Sequence, residues 1–67
     1  MMPQNRIDRA RRKLKAEGYN LVKKERGADS WWIVYAYNGS VVDGAFPGQD
    51  GLTLDEVEEW IDANIEQ

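Results

Sequence analysis

Apolar residues near the start of the chain recur with a helical period. Ile7, Ala10 and Leu14 stand at i, i+3 and i+7, with basic residues filling most of the positions between them. The pattern predicts a helix over 5–17, with Asn5 as N-cap and Gly18 as its C-terminal stop. The stripe is narrow, so this helix should lie on a sheet. From Tyr19 the period changes. Tyr19 to Arg26 (YNLVKKER) reads as a first strand with a charged end, and Gly27-Ala28-Asp29-Ser30 as a turn. Trp31 to Tyr37 (WWIVYAY) is a strand of aromatic and β-branched residues, Asn38-Gly39 a hairpin turn, and Ser40 to Phe46 (SVVDGAF) the returning strand. A two-residue type I′ turn would pair Tyr37 with Ser40, Tyr35 with Val42, Ile33 with Gly44 and Trp31 with Phe46. Trp31, Ile33, Tyr35, Tyr37, Val42 and Phe46 would then share one face. Trp32, Val34, Ala36, Val41, Asp43 and Ala45 would share the other, with Asp43 marking it as the wetter one.

Pro47 to Gly51 is a loop by composition, and residues 53–66 form the second helix. Thr53 and Glu56 stand as a capping box, Leu52 and Val57 as a hydrophobic staple, and Leu54, Val57, Ile61 and Ile65 as the buried stripe, with Trp60 at its edge. The expected fold is therefore α+β in the order α-β-β-β-α. It is a three-stranded antiparallel meander with both helices packed on one face, in a single domain over 1–67 whose residues 1–4 are frayed.

Composition narrows the function. The chain has 67 residues, 42% of them hydrophobic and 31% charged, which suits one small folded core. It has neither cysteine nor histidine, which removes disulfides, thiol chemistry and imidazole catalysis. The available hydroxyls (Ser30, Ser40, Thr53) fall at turns or a cap, so a non-enzyme without cofactor or metal is expected. No apolar run approaches the ~20 residues that span a bilayer. No signal-peptide core opens the chain, which points to a cytoplasmic protein without membrane contact.

Charge changes the picture most. The net charge is −3, yet all nine basic residues lie in 1–26: Arg6, Arg9, Arg11, Arg12, Lys13, Lys15, Lys23, Lys24 and Arg26. Three acids (Asp8, Glu17, Glu25) oppose them there, for a local +6. Residues 27–67 hold nine acids and no base, a local −9. Such a division marks either a charged interface or two halves that attract each other within the fold.

Three candidate surfaces follow. Asp55, Glu58, Glu59 and Asp62 put four carboxylates near one helix face, suited to a basic groove on a host protein such as one that binds nucleic acid. They do not read as a calcium loop, since the residue six after Gly51 is Val57. Only one of the adjacent Trp31 and Trp32 can enter a core covered on one side, so Trp32, Val34 and Val41 form a candidate protein or dimer interface. The alternative is a nucleic-acid surface made of Arg9, Arg12, Lys13, Lys23 and Lys24, with phosphate contacts that salt would weaken. The element order is shared with double-stranded-RNA-binding domains, but the second helix here opens Thr53-Leu54-Asp55-Glu56-Val57-Glu58-Glu59, where those domains carry lysines. Monomer and weak homodimer both remain open.

Gly18-Tyr19-x-Leu21 after a basic helix, Trp32-x-Val34, Val41-Val42, and Leu52-Thr53-Leu54-Asp55-Glu56-Val57-Glu58-x-Trp60 resemble small α-β-β-β-α proteins carried by phages and other mobile elements. The resemblance spans 6–65. It implies a small inhibitor or accessory factor that binds a component of a host system, as anti-CRISPR proteins do, and it carries over no functional residues.

Overall fold

The structure, a computed structural model, describes residues 3–24, 27 and 29–66. The elements are α1 (Pro3–Ala16), β1 (Tyr19–Lys23), β2 (Trp31–Tyr35), β3 (Val41–Asp43) and α2 (Leu54–Asn64). The order is α-β-β-β-α, an α+β fold with one antiparallel sheet ordered β1-β2-β3.

Helix α1 starts earlier than its apolar stripe suggests. Pro3 supplies a fixed φ and lacks an N–H that the first turn could not bond anyway, so it opens the helix well. Asn5 therefore lies inside the first turn rather than at the N-cap, and Pro3 and Gln4 are helical rather than frayed. The expected fraying of Met1 and Met2 falls outside the described residues, as do Glu25 and Arg26 of the expected first strand and Ala28 of the expected turn. At the other end Gly18, at φ +88°, stops the helix as the sequence implies.

The core lies between one face of the sheet and both helices. Ala10 and Leu14 of α1 meet Leu21 of β1, Trp31 and Ile33 of β2, and Leu54, Val57 and Ile61 of α2. Leu14, Ile33 and Val57 are fully enclosed, each such burial being worth ~1.5–3 kcal/mol. Ile7, Tyr19, Val42, Trp60 and Ile65 pack at its margin.

The capping box of α2 forms as read. Thr53 Oγ1 accepts from Glu56 N at 3.1 Å, and Thr53 N donates to Glu56 Oε1 at 2.8 Å. Asp29 adds a long-range cap, its Oδ1 accepting from Leu54 N at 2.8 Å and from the Trp31 indole N–H at 3.0 Å. Leu52 bridges back to Trp31 through a reciprocal pair of backbone bonds of 2.7 and 2.8 Å, which seats the loop before α2 against the sheet.

The hairpin departs from the expected register. Asn38 keeps a negative φ, which excludes a type I′ turn. Only Gly39, at φ +75°, crosses into the left-handed region. Gly39 N and Tyr35 N donate to Tyr35 O and Ser40 O respectively, both at 2.8 Å, closing a four-residue loop over 36–39. The Asn38 side chain accepts from Ser40 N at 2.9 Å and holds this longer loop. Strand β2 consequently ends at Tyr35, and β3 is confined to 41–43. Val34 pairs with Val41 and Ile33 with Asp43, the intervening Val42 forming a bulge and packing on the core. The expected pairs of Ile33 with Gly44 and of Tyr35 with Val42 do not form. Asp43 falls on the row of Ile33 instead of on the uncovered face, and its carboxylate accepts from Gly44 N and the Gln49 amide.

Candidate functional site

The charge division of the sequence becomes a seam between the helices. Four ion pairs form among the described residues, and each joins a base of 1–26 to an acid of 27–67. At the centre, Arg6 projects from the first turns of α1 onto the start of α2. Its Nη2 donates to Asp55 Oδ1 and to Glu58 Oε1, both at 2.6 Å, and its Nε donates to Glu58 Oε2 at 3.2 Å. The hydrogen bond from Arg6 is the main reason that the Glu58 carboxyl sits below the usual carboxylate range, burial working the other way. The same bonds raise the affinity of Arg6 for its proton. Just past the end of α2, Glu66 Oε1 accepts from Lys13 Nζ at 2.9 Å.

The acidic row is thus divided. Asp55 and Glu58 serve the seam, while Glu59 and Asp62 remain exposed, Asp62 beside Arg9 and Lys13 in a shallow groove between the helices. The candidate basic residues are divided too. Lys13 is paired with Glu66, and Lys24 approaches Asp50 at 3.8 Å. Lys23 Nζ lies 4.8 Å from the centre of the Trp31 ring, and Arg12 is exposed on the flank of α1 that faces β1. Arg9 and Lys13 share the groove between the helices, while Arg12 and Lys23 line two other surfaces. Among the described residues, no group of three or more carboxylates is placed to hold a metal ion, and no helix is long and apolar enough to cross a membrane.

The sheet face opposite the helices carries Trp32, Val34 and Val41, joined across the ladder by Val22 and Asn20. Among the described residues, no helix lies against it. The row is less open than its position suggests, with Trp32 and Val41 half-buried and Val34 only 9% exposed. The Trp32 ring lies with its Nε1 shielded from solvent and without an acceptor among the described residues. A shielded, unbonded N–H costs ~1–3 kcal/mol, which makes this indole the least satisfied polar group described on the sheet.

Two features were missed by reading the sequence. An aromatic ladder runs from Trp60 to Tyr19 (5.2 Å, edge to face), on to Tyr35 (5.7 Å) and to Tyr37 (5.6 Å), a residue 81% exposed. The pairing of Tyr19 with Tyr35 across β1 and β2 was legible in principle from strand register alone. The second feature is a groove between α1 and β1, where Arg11 and Lys15 join Arg12; its signal is the i, i+4 spacing of Arg11 and Lys15.

Two of the candidate hydroxyls, Ser30 and Thr53, have structural bonds. Ser30 Oγ donates to Asp50 O at 2.8 Å, and Thr53 caps α2. These surfaces offer apolar contact, an indole N–H without an acceptor among the described residues, and cations without an ion-paired carboxylate among them. Comparison with family models, with curated proteins and with solved structures returns no match to this chain.

Proposed function

We propose that this chain is a small non-enzymatic protein-binding factor that works through the uncovered sheet face. The observation that carries the reading is Trp32, a large aromatic on the sheet face opposite the helices, its indole N–H shielded and without an acceptor among the described residues. Its occupant is a partner protein with an apolar surface and an oxygen acceptor, toward which the indole turns on binding. On the resemblance to small proteins of mobile elements, that partner is a component of a host system that binding inhibits or modifies. The exposed Glu59 and Asp62 add electrostatic steering at the flank rather than the main contact.

The test is affinity capture of tagged protein from bacterial lysate after nuclease treatment, in parallel for wild type and V41K. The reading expects a discrete protein retained by wild type and lost by V41K, with both proteins folded by circular dichroism. Equal retention by V41K would overturn it. A second reading, nucleic-acid binding, is favoured by one observation: no carboxylate pairs with Arg11, Arg12 or Lys15 among the described residues. It expects capture that nuclease abolishes and that falls steeply between about 50 and 200 mM salt.

A further inference from the structure

Strand β1 is an edge, and its outward backbone groups can be assigned. Ala36 N donates to Gly18 O and Lys24 N to Ser30 O, which sets the alternation of the β1–β2 ladder. Tyr19, Leu21 and Lys23 therefore turn their N–H and C=O groups away from β2. Leu21 O confirms the direction, since it accepts from Arg11 Nη1 across the open side. That contact is 3.3 Å long, beyond the usual N–H···O range, and is easily displaced.

A groove follows this edge, between β1 and the flank of α1. Arg11, Arg12 and Lys15 line it from the helix, with Asp8 as the opposing charge, and Asn20 and Val22 line it from the strand. None of these three bases is ion-paired to a carboxylate among the described residues, and neither is Lys23. On the side facing α2, Arg6 and Lys13 are ion-paired and Arg9 lies among Glu58, Asp62 and Glu66, whereas the groove beside the β1 edge sets three bases against Asp8.

We propose that the β1 edge takes an extended acidic segment of a partner protein as a fourth strand. The fit is geometric as well as electrostatic. Alternate residues of a strand lie ~6.6 Å apart on one face, close to the ~6 Å between helix positions i and i+4. Carboxylates at every second position would therefore meet Arg11 and Lys15 on the helix side. The intervening residues continue the row of Val22, Trp32 and Val34 and should be apolar. Arg11 leaves Leu21 O as the peptide arrives, exchanging one carbonyl for a carboxylate. A second copy of this chain fits poorly, because it would bring the same cations to the same edge. This site adjoins the sheet face proposed above at Asn20 and Val22, but it is read out at the outward amides of β1 and so stands or falls independently of the result at Val41.

The probe is a short blocked peptide of alternating glutamate and valine, titrated into the protein while backbone amide exchange is followed by NMR. Exchange at Leu21 and Lys23 should slow at saturation, while the amides of Asn20 and Val22, already bonded to β2, stay unchanged. R11Q/K15Q should weaken binding about tenfold, and the matching lysine–valine peptide should not bind. K23P removes one outward donor at a position where an edge strand tolerates proline, and should abolish binding. If K23P unfolds, R11Q/K15Q decides. The proposal is overturned if the peptide binds without slowing Leu21 and Lys23, or fails to bind. Equal binding of the lysine peptide also overturns it, as does protection by a single-stranded oligonucleotide in place of the peptide. Slowing that depends on protein concentration without peptide would assign the edge to a second copy and overturn it as well.

Discussion

Gly44 holds the bulged strand against β2 and supports the uncovered face, so a single methyl there tests the packing. At φ +98° an L side chain is strained, and a Cβ at this position would stand 2.8 Å from Trp31 O and 2.9 Å from Trp32 Cα. Both are backbone atoms of the central strand and cannot move away cheaply. Gly39 is the control: it too has a positive φ, +75°, but a Cβ there meets nothing within 4 Å. The conformational term alone costs ~1–2 kcal/mol, so G39A should lose about that much. G44A adds the cost of overpacking, ~1–3 kcal/mol, for a total of ~2–5 kcal/mol. A chain of this length has only about 3–10 kcal/mol to lose, so G44A should be near its unfolding midpoint in buffer or well along toward it. Urea denaturation of both variants, followed by tryptophan fluorescence and circular dichroism, measures the difference. Equal loss in the two variants would refute the close approach of Gly44 to β2, and with it the register that places Val41 beside Val34.

Three further outcomes follow from the same contacts. W32F deletes the unbonded indole N–H, so its lost apolar area is offset and stability should stay within about 1 kcal/mol of wild type; partner capture should nevertheless fall. D29A leaves Leu54 N and the Trp31 indole without their acceptor and should cost ~1–3 kcal/mol in denaturant titration, although Asp29 looks like an ordinary turn residue. Because Arg6 depresses the Glu58 carboxyl, its contribution to stability is present above its ordinary value of 4.5 and lost as pH falls through the lower folded-state value. E58Q should therefore flatten the acid limb of a stability–pH profile below about 4.5, and high salt should narrow the gap between E58Q and wild type at neutral pH.

What the sequence revealed and what it concealed divide along the range of the interactions involved. The helix stop at Gly18, the capping box of Thr53 and Glu56 and the stripe of Leu54, Val57 and Ile61 depend on residues a few positions apart and stand as read, while Ile65, the fourth residue of the expected stripe, falls just past the end of α2 at Asn64 and packs only at the margin of the core. Asn38-Gly39 located the hairpin but suggested the wrong turn, because the Asn38 side chain bonds Ser40 N and the bulge at Val42 is set by Gly44 against β2. The Arg6 clamp spans 52 residues to Glu58, so the sequence showed two charged halves without showing that they meet. The groove at Arg11 and Lys15 depends on the rotation of α1 over β1, which no local pattern encodes. The candidate acidic row was visible as a row, but its division between the Arg6 seam and the exposed Glu59 and Asp62 was not.

The central claim is that the uncovered sheet face binds a protein. Quantitative mass spectrometry of nuclease-treated captures, with V41K beside wild type, tests it most directly. The account predicts one discrete protein enriched by wild type and reduced to background by V41K, with the fold of V41K intact. A partner retained equally by V41K, or a capture that vanishes with nuclease, would contradict it.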